Sequence, residues 1–210
     1  MKKSLVISEG VVAGNPYDKY GTRNPIARRL MQGFDTSLFE LLDLAGPVDS
    51  ILEVGCGEGH VTQKLAARYP KASVLGTDFS PEIIDLAKQL HPGLAFESQS
   101  VYDVSKRTDS WDVIVACEVF EHLDEPARAL RELALTARRA IVLTVPREPL
   151  WRVLNVLRGE HLARLGNSPG HVQHWSRGGF ARFAGAHAEV IAVRSPMPWT
   201  QLLCRPRSAA

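Results

Sequence analysis

Short, almost wholly apolar runs recur along this chain, separated by stretches of helical periodicity. Residues 50–54 (Ser-Ile-Leu-Glu-Val) read as a buried strand, followed by glycine-rich residues and a helical stretch over 61–69. A second strand is expected over 72–77, a helix opened by Pro81 and running to about Leu90, and a third strand over 94–97. A fourth strand over 111–116 precedes a helix from Pro126 to about Ala137, and a fifth strand covers 139–145. The strands lie roughly 20 residues apart and are apolar on both faces, the pattern of a parallel sheet covered by helices. Two further strands, near 189–194 and 200–204, are joined by Pro196-Met197-Pro198. That link is too short for a parallel crossover, so the last strand is expected to run antiparallel.

Ahead of the sheet, Pro25 to about Leu44 reads as an amphipathic helix, with Asn24 as its N-cap and Pro25 at its first position. The 210 residues, 45% hydrophobic and 23% charged, fit one α/β domain and exclude wholesale disorder. No window reaches the roughly 18 consecutive apolar residues of a membrane-spanning helix, and the first nine residues are too short an apolar run for a signal peptide. Cys56, Cys117 and Cys204, with no CxxC pair, form neither a disulfide framework nor a zinc site, which favours a reducing, cytoplasmic setting.

Charge is uneven. Residues 1–105 carry 10 Lys+Arg against 13 Asp+Glu, and residues 106–210 carry 15 against 10. Ten arginines and no lysine lie between Ala127 and Arg182, against three Glu. A solvated face and a surface that meets an anionic substrate both fit this bias.

The most informative residues are Leu52-Glu53-Val54-Gly55-Cys56-Gly57-Glu58-Gly59-His60, where the first strand hands over to the first helix of the sheet. Glycines at alternate positions permit positive φ and leave no Cβ, so a ligand can lie against the backbone. The third glycine falls one residue early for a GxGxxG nucleotide fingerprint, and no GK[ST] of a P-loop follows. An acidic residue two before the first glycine suits a cationic ammonium rather than a pyrophosphate.

This segment resembles motif I of the class I S-adenosylmethionine (SAM) methyltransferases, an E/D-x-G-x-G-x-G loop. Supporting features arrive in order: Asp78 ends the second strand, 25 residues after Glu53, Ser98-Gln99-Ser100-Val101-Tyr102-Asp103 follows the third, and Trp111-Asp112-Val113-Ile114 starts the fourth. The resemblance is strong over about 50–145 and holds only in outline elsewhere. It implies a Rossmann-like fold: a seven-stranded, mostly parallel sheet with the last strand antiparallel, helices on both faces and an N-terminal helical extension. It divides the single domain into an extension (1–48), a SAM-binding core (49–147), a substrate cap (148–185) and C-terminal strands (186–210). It also implies that Glu53 meets the methionine ammonium, and that Gly55, Cys56, Gly57 and Gly59 admit the cofactor to the backbone. Asp78, with Phe79 beside it, would hold the ribose, and Ser100, Val101 and Tyr102 would border the adenine. Many relatives carry Asp where Ser100 stands.

After the fourth strand comes Glu118-Val119-Phe120-Glu121-His122. A helical turn here places both carboxylates and the imidazole on one face. The cluster is similar to the magnesium site of two methyltransferase groups, those of ubiquinone-biosynthesis O-methylation and of small-RNA 2′-O-methylation. The resemblance would make Glu118, Glu121 and His122 ligands of Mg²⁺ or Mn²⁺, with His174 as the histidine that completes the site and His171 offered beside it. Metal-free relatives carry the same residues, with Glu118 close to SAM. His122 is then a general base and Glu121 its catalytic neighbour, since an unperturbed imidazole titrates near neutral pH. Both readings stay open.

Residues 149–165 read as a helix, apolar around most of its circumference with Arg152, Arg158 and Arg164 interspersed. A substrate cover, a purely structural helix and an interfacial membrane helix all fit, and the arginines could hold an acidic substrate group. His171 and His174 are candidate substrate contacts, as are Tyr17 and Tyr20 from the N-terminal segment. Gly178-Gly179 stand where the family usually has Pro-Glu, so the next helix is expected to begin late. His60, His91 and His187 read as surface or loop positions. The whole reads as a SAM-dependent methyltransferase acting on a small or lipid-linked metabolite, most readily at oxygen. The alternatives are a metal-assisted RNA 2′-O-methyltransferase and a noncatalytic SAM-binding protein. Nucleic acid is not the expected partner, peripheral membrane contact is open, and monomer and homodimer both fit.

Overall fold

The computed structural model describes residues 6–8, 11–13 and 24–207. Its elements, in chain order, are strands β1 (Val6–Ser8) and β2 (Val11–Ala13), helix α1 (Pro25–Leu44), β3 (Ser50–Val54), α2 (His60–Arg68) and β4 (Ser73–Asp78). Next come α3 (Pro81–Leu90), β5 (Ala95–Ser98), β6 (Trp111–Cys117), α4 (Pro126–Thr136) and β7 (Ala137–Pro146). The chain ends with α5 (Leu150–Leu157), α6 (Arg177–His187), β8 (Ala188–Arg194) and β9 (Trp199–Pro206). Seven strands form one sheet in the order β5-β4-β3-β6-β7-β9-β8. The core strands β3 to β7 pair in parallel, and β9 runs antiparallel to both its neighbours. The expected architecture is present.

The sheet buries both faces because its central strands are apolar on both. Leu52, Ile114, Ile141 and Leu202 pack with Leu130, Leu133 and Phe180 on one side. Ile51, Val113, Val142 and Leu203 pack with Leu38, Leu41 and Leu65 on the other. Helix α1 starts where its sequence predicts: Asn24 Oδ1 accepts the Ile26 amide at 2.9 Å, with Pro25 at the first position. A short antiparallel hairpin, β1–β2, precedes it, so the N-terminal extension is not helical alone. Tyr17 and Tyr20 lie outside the described residues.

Three local expectations are corrected. The helix expected over 149–165 stops at Leu157, because Gly159 takes φ 73° and the amides of Gly159 and Glu160 return to the carbonyls of Val156 and Asn155. That pair of bonds is a Schellman C-cap, for which glycine is the preferred residue. Helix α6 does not begin late: Ser176 Oγ accepts the Gly179 amide at 3.2 Å, and buried Phe180 anchors the first turn. His91 lies in the loop after α3, as expected, but not at the surface: it is buried against Phe96, with His60 edge-on at 5.3 Å.

Candidate active site at the carboxyl ends of the strands

The glycine loop joins β3 to α2 with Gly55, Gly57 and Gly59 all at positive φ (69°, 53° and 81°). A Cβ on Gly55 would collide with the Val119 side chain, and one on Gly59 would stand 2.6 Å from the Phe96 ring. The loop is therefore fixed by close approach as well as by dihedral. Asp78 ties it to the next strand: Oδ2 accepts the Gly57 amide at 3.0 Å and Oδ1 accepts the Ser80 amide at 3.1 Å. Burial raises the Asp78 carboxyl above its ordinary value, and the amides of Ser80, Gly57 and Phe79 draw it partly back. Glu53 lies beneath the loop, 1% exposed, where its carboxylate accepts the Thr62 hydroxyl. Desolvation pushes its pKa up to about 8. Cys56 is a buried free thiol, its pKa also raised by burial. Ser100 caps a short 3₁₀ turn by accepting the Tyr102 amide at 3.2 Å, Val101 is buried, and the Tyr102 hydroxyl accepts the Glu125 amide at 3.1 Å.

Beyond β6 the chain turns sharply. Glu118 adopts φ 57°, and a single 3₁₀ turn spans Phe120–His122. The two carboxylates and imidazole expected on one helical face are thereby divided. Glu118 Oε1 accepts the Trp199 indole N–H at 2.7 Å, whereas Glu121 and His122 face the cap. There they meet His171. Among the described residues, Glu121, His122 and His171 offer ligand atoms that all lie within 4.8 Å of one another. His174 is instead 3.8 Å from Glu148. The cluster that could hold a metal thus contains His171, with Glu118 and His174 outside it.

The cap is stapled onto this turn. The amides of Val172 and Gln173 both donate to the Glu121 carbonyl, at 2.9 and 3.0 Å, and Gln173 Nε2 donates to the Leu123 carbonyl at 3.1 Å. His122 Nδ1 lies 2.9 Å from the Gly170 carbonyl, an oxygen that can only accept, so Nδ1 is the donor and, in the neutral imidazole, Nε2 is the basic nitrogen. His171 sits edge-on to His122 at 4.9 Å and stacks on Trp151 at 6.3 Å, and Trp151 continues to Trp199 and Phe34. Buried Asn155 holds the far end of the cap by donating to the Gly166 carbonyl at 2.9 Å.

The glycine loop, Asp78 and the Glu121–His122 turn thus all lie at the carboxyl ends of parallel strands, where doubly wound sheets bind their ligands. Residues 52–139 match the family described as a methyltransferase domain. Residues 52–139 are a SAM-dependent methyltransferase domain. Trans-aconitate 2-methyltransferase of Methylobacterium nodulans is 33% identical over 128 residues, covering 59% of this chain and 49% of that protein. A ubiquinone biosynthesis O-methyltransferase of Xanthomonas oryzae is 33% identical over 134 residues, covering 59% and 54%. The chain spans about half the length of these relatives. In fold, the chain is similar to the crystal structure of magnesium protoporphyrin IX methyltransferase from Synechocystis with bound S-adenosylhomocysteine. There the TM-score is 0.63 at 20% identity, with 89% of this chain and 90% of that one covered.

Several residues of this candidate site gave no sequence signal. Trp199 lies far from every motif and reaches the site because β9 pairs with β7, and Phe34 of α1 packs edge-on against the indole at 5.0 Å. A cavity of about 330 Å³ between α1 and α2 borders His60 and is lined by Arg28, Gln32, Asp35 and Lys64. Lys64 pairs with Asp35 at 2.6 Å, and Arg28 is the cavity's other lysine or arginine.

Proposed function

We propose that this protein is an enzyme that moves the methyl group of SAM to oxygen of a small-molecule acceptor, with His122 as general base. The observation that carries this reading is the 2.9 Å contact of His122 Nδ1 with the Gly170 carbonyl, which makes Nε2 the basic nitrogen of the neutral imidazole. SAM supplies a sulfonium methyl, and S-adenosylhomocysteine leaves with the electron pair of the broken C–S bond. The Asp78 carboxylate fits a ribose diol, Val101 and Tyr102 border the adenine, and Glu53, beneath the loop, favours the cationic methionine end once it ionises. As the acceptor oxygen forms its bond to the methyl carbon, its proton passes to His122 Nε2. Glu121, 2% exposed, lies beside that imidazole and stabilises the imidazolium that results. Trp151 and His171 supply a flat, water-poor wall, and alignment in such a pocket is most of what an activated methyl donor requires.

The two relatives' names give the acceptor classes to try first, trans-aconitate and an oxygen acceptor in ubiquinone biosynthesis. Transfer of labelled methyl from SAM to a panel of carboxylic acids, phenols and prenylated phenols tests the reading. Labelling of an acceptor by the wild type and not by His122→Asn supports it. No labelling of any oxygen acceptor, with amines or thiols labelled instead, overturns the oxygen assignment.

A second reading is favoured by the proximity of Glu121, His122 and His171. One carboxylate and two imidazoles would fit Mn²⁺ or another divalent transition metal better than Mg²⁺, which takes oxygen ligands. A bound cation would lower the pKa of a coordinated acceptor hydroxyl. RNA as acceptor is less favoured than a small molecule, since Arg138 and Arg139 lie against Asp112 and Arg128 over the Tyr102 ring.

A further inference from the structure

Six of the twelve exposed large apolar side chains among the described residues fall within 153–172. Isolated exposed leucines are ordinary, but a contiguous apolar patch marks an interaction surface. Helix α5 explains half of it. Trp151 and Asn155 point inward, to His171 and to the Gly166 carbonyl, and at 100° per residue Val153, Val156 and Leu157 lie on the opposite side. The turn that follows adds Leu162 and Leu165, 58% and 74% exposed. It packs against the helix, because Gly166 lies on the Arg152 carbonyl and 3.0 Å from the Val156 side chain once given a Cβ.

This knob is built, not frayed. Arg152 Nε donates to the Leu165 carbonyl at 3.1 Å, and the Gly166 amide donates to His161 at 3.0 Å. His161 and Leu165 both hold left-handed backbone, at φ 53° and 49°, a strained choice for residues with a Cβ. The strain persists around leucines that face water. Arg152 and Arg164 are interleaved with these apolar residues, and exposed Arg158, which donates to Asn155 Oδ1 at 2.7 Å, lies at their edge, an arrangement that suits an apolar layer beneath anionic head groups.

We propose that the outer face of α5, with the 162–165 turn, docks on an anionic phospholipid bilayer. Val153, Val156, Leu157, Leu162 and Leu165 enter the interfacial region while the arginines meet lipid phosphates. The inner face of the same helix carries Trp151 against His171, so docking brings the bilayer to the wall of the candidate acceptor site. The docking itself does not depend on methyl transfer.

Co-sedimentation with phosphatidylcholine vesicles, with and without phosphatidylglycerol, tests this. The wild type is expected to sediment with the anionic vesicles and to be released by salt. Leu157→Ser/Leu162→Ser/Leu165→Ser is expected to stay in the supernatant, and Arg158→Glu/Arg164→Glu to bind about tenfold more weakly or worse. Thermal unfolding and S-adenosylhomocysteine calorimetry report whether each variant is folded. Equal sedimentation of wild type and folded variants overturns the proposal. So does a wild type that ignores both vesicles, and light scattering that shows a dimer lost in the leucine variant would then assign the face to a second copy. A protein that binds vesicles but transfers no methyl group refutes the enzymatic reading alone.

Discussion

The carboxylate of Asp78 accepts the backbone amide of Gly57 at 3.0 Å, joining the end of β4 to the middle of the glycine loop. One side chain therefore both shapes the loop and faces the place where a ribose would lie. Asp78→Ala removes the acceptor of two backbone amides, those of Gly57 and Ser80. Hydrogen bonds to charged groups are worth about 1.5–3 kcal/mol, so S-adenosylhomocysteine affinity should fall roughly tenfold to a hundredfold. Calorimetry measures it, and an unchanged dissociation constant sinks the ribose assignment.

Gly55 shows why the loop tolerates no side chain. Its φ of 69° strains any L-residue, and an added Cβ meets Val119. Gly55→Ala should lower stability by about 1–3 kcal/mol, a loss of several degrees in Tm for a chain of this size. Val119→Ala in the same background relieves the collision but not the dihedral, so it should recover only part of the loss. Full recovery would show that packing alone excludes a side chain there.

Most of the sheet was legible because its strands announce themselves twice, by apolar runs and by the glycine, acid and Trp-Asp signatures at their ends. The turn after β6 was not, because its outcome is decided by a partner 81 residues away. Trp199 takes the Glu118 carboxylate, and local spacing carries no trace of that bond. His171 and His174 were both legible as candidates, and the choice of His171 rests on main-chain bonds from Val172 and Gln173 that any residue could make. Gly159, by contrast, was a readable stop signal within a segment whose apolar periodicity argued for one longer helix.

Glu53 predicts a pH dependence of the apoprotein. Its folded pKa of about 8 lies above the ordinary 4.5, so the folded state holds a proton that the unfolded state releases between those values. The contribution is fully present below the unfolded value and is lost as pH rises through about 8. Glu53→Gln should flatten the fall in Tm over that window. A methionine ammonium at this carboxylate would favour its ionised form. SAM binding near neutral pH should then release a proton, visible as a calorimetric enthalpy that changes with the buffer's ionisation enthalpy and lost in Glu53→Gln. Proton-neutral binding removes Glu53 from the ammonium site.

The Glu118–Trp199 bond separates that carboxylate from the histidine cluster, and this gives the metal question a built-in control. If His122 acts as a metal-free base, His122→Asn should lower kcat about 10²–10⁴-fold. Cofactor affinity should stay unchanged, and chelators should leave the wild type untouched. If a cation acts instead, Mn²⁺ titrated into protein saturated with S-adenosylhomocysteine should bind. That binding should be lost in Glu121→Ala and in His171→Ala but kept in Glu118→Ala, whose carboxylate belongs to the indole. The Gly170 carbonyl takes the Nδ1 side of the imidazole, which leaves Nε2 as the nitrogen for either role. Coordination needs that same nitrogen. One atom cannot hold a metal and accept the acceptor's proton, so loss of activity on chelation, restored by Mn²⁺, would exclude His122 as the base.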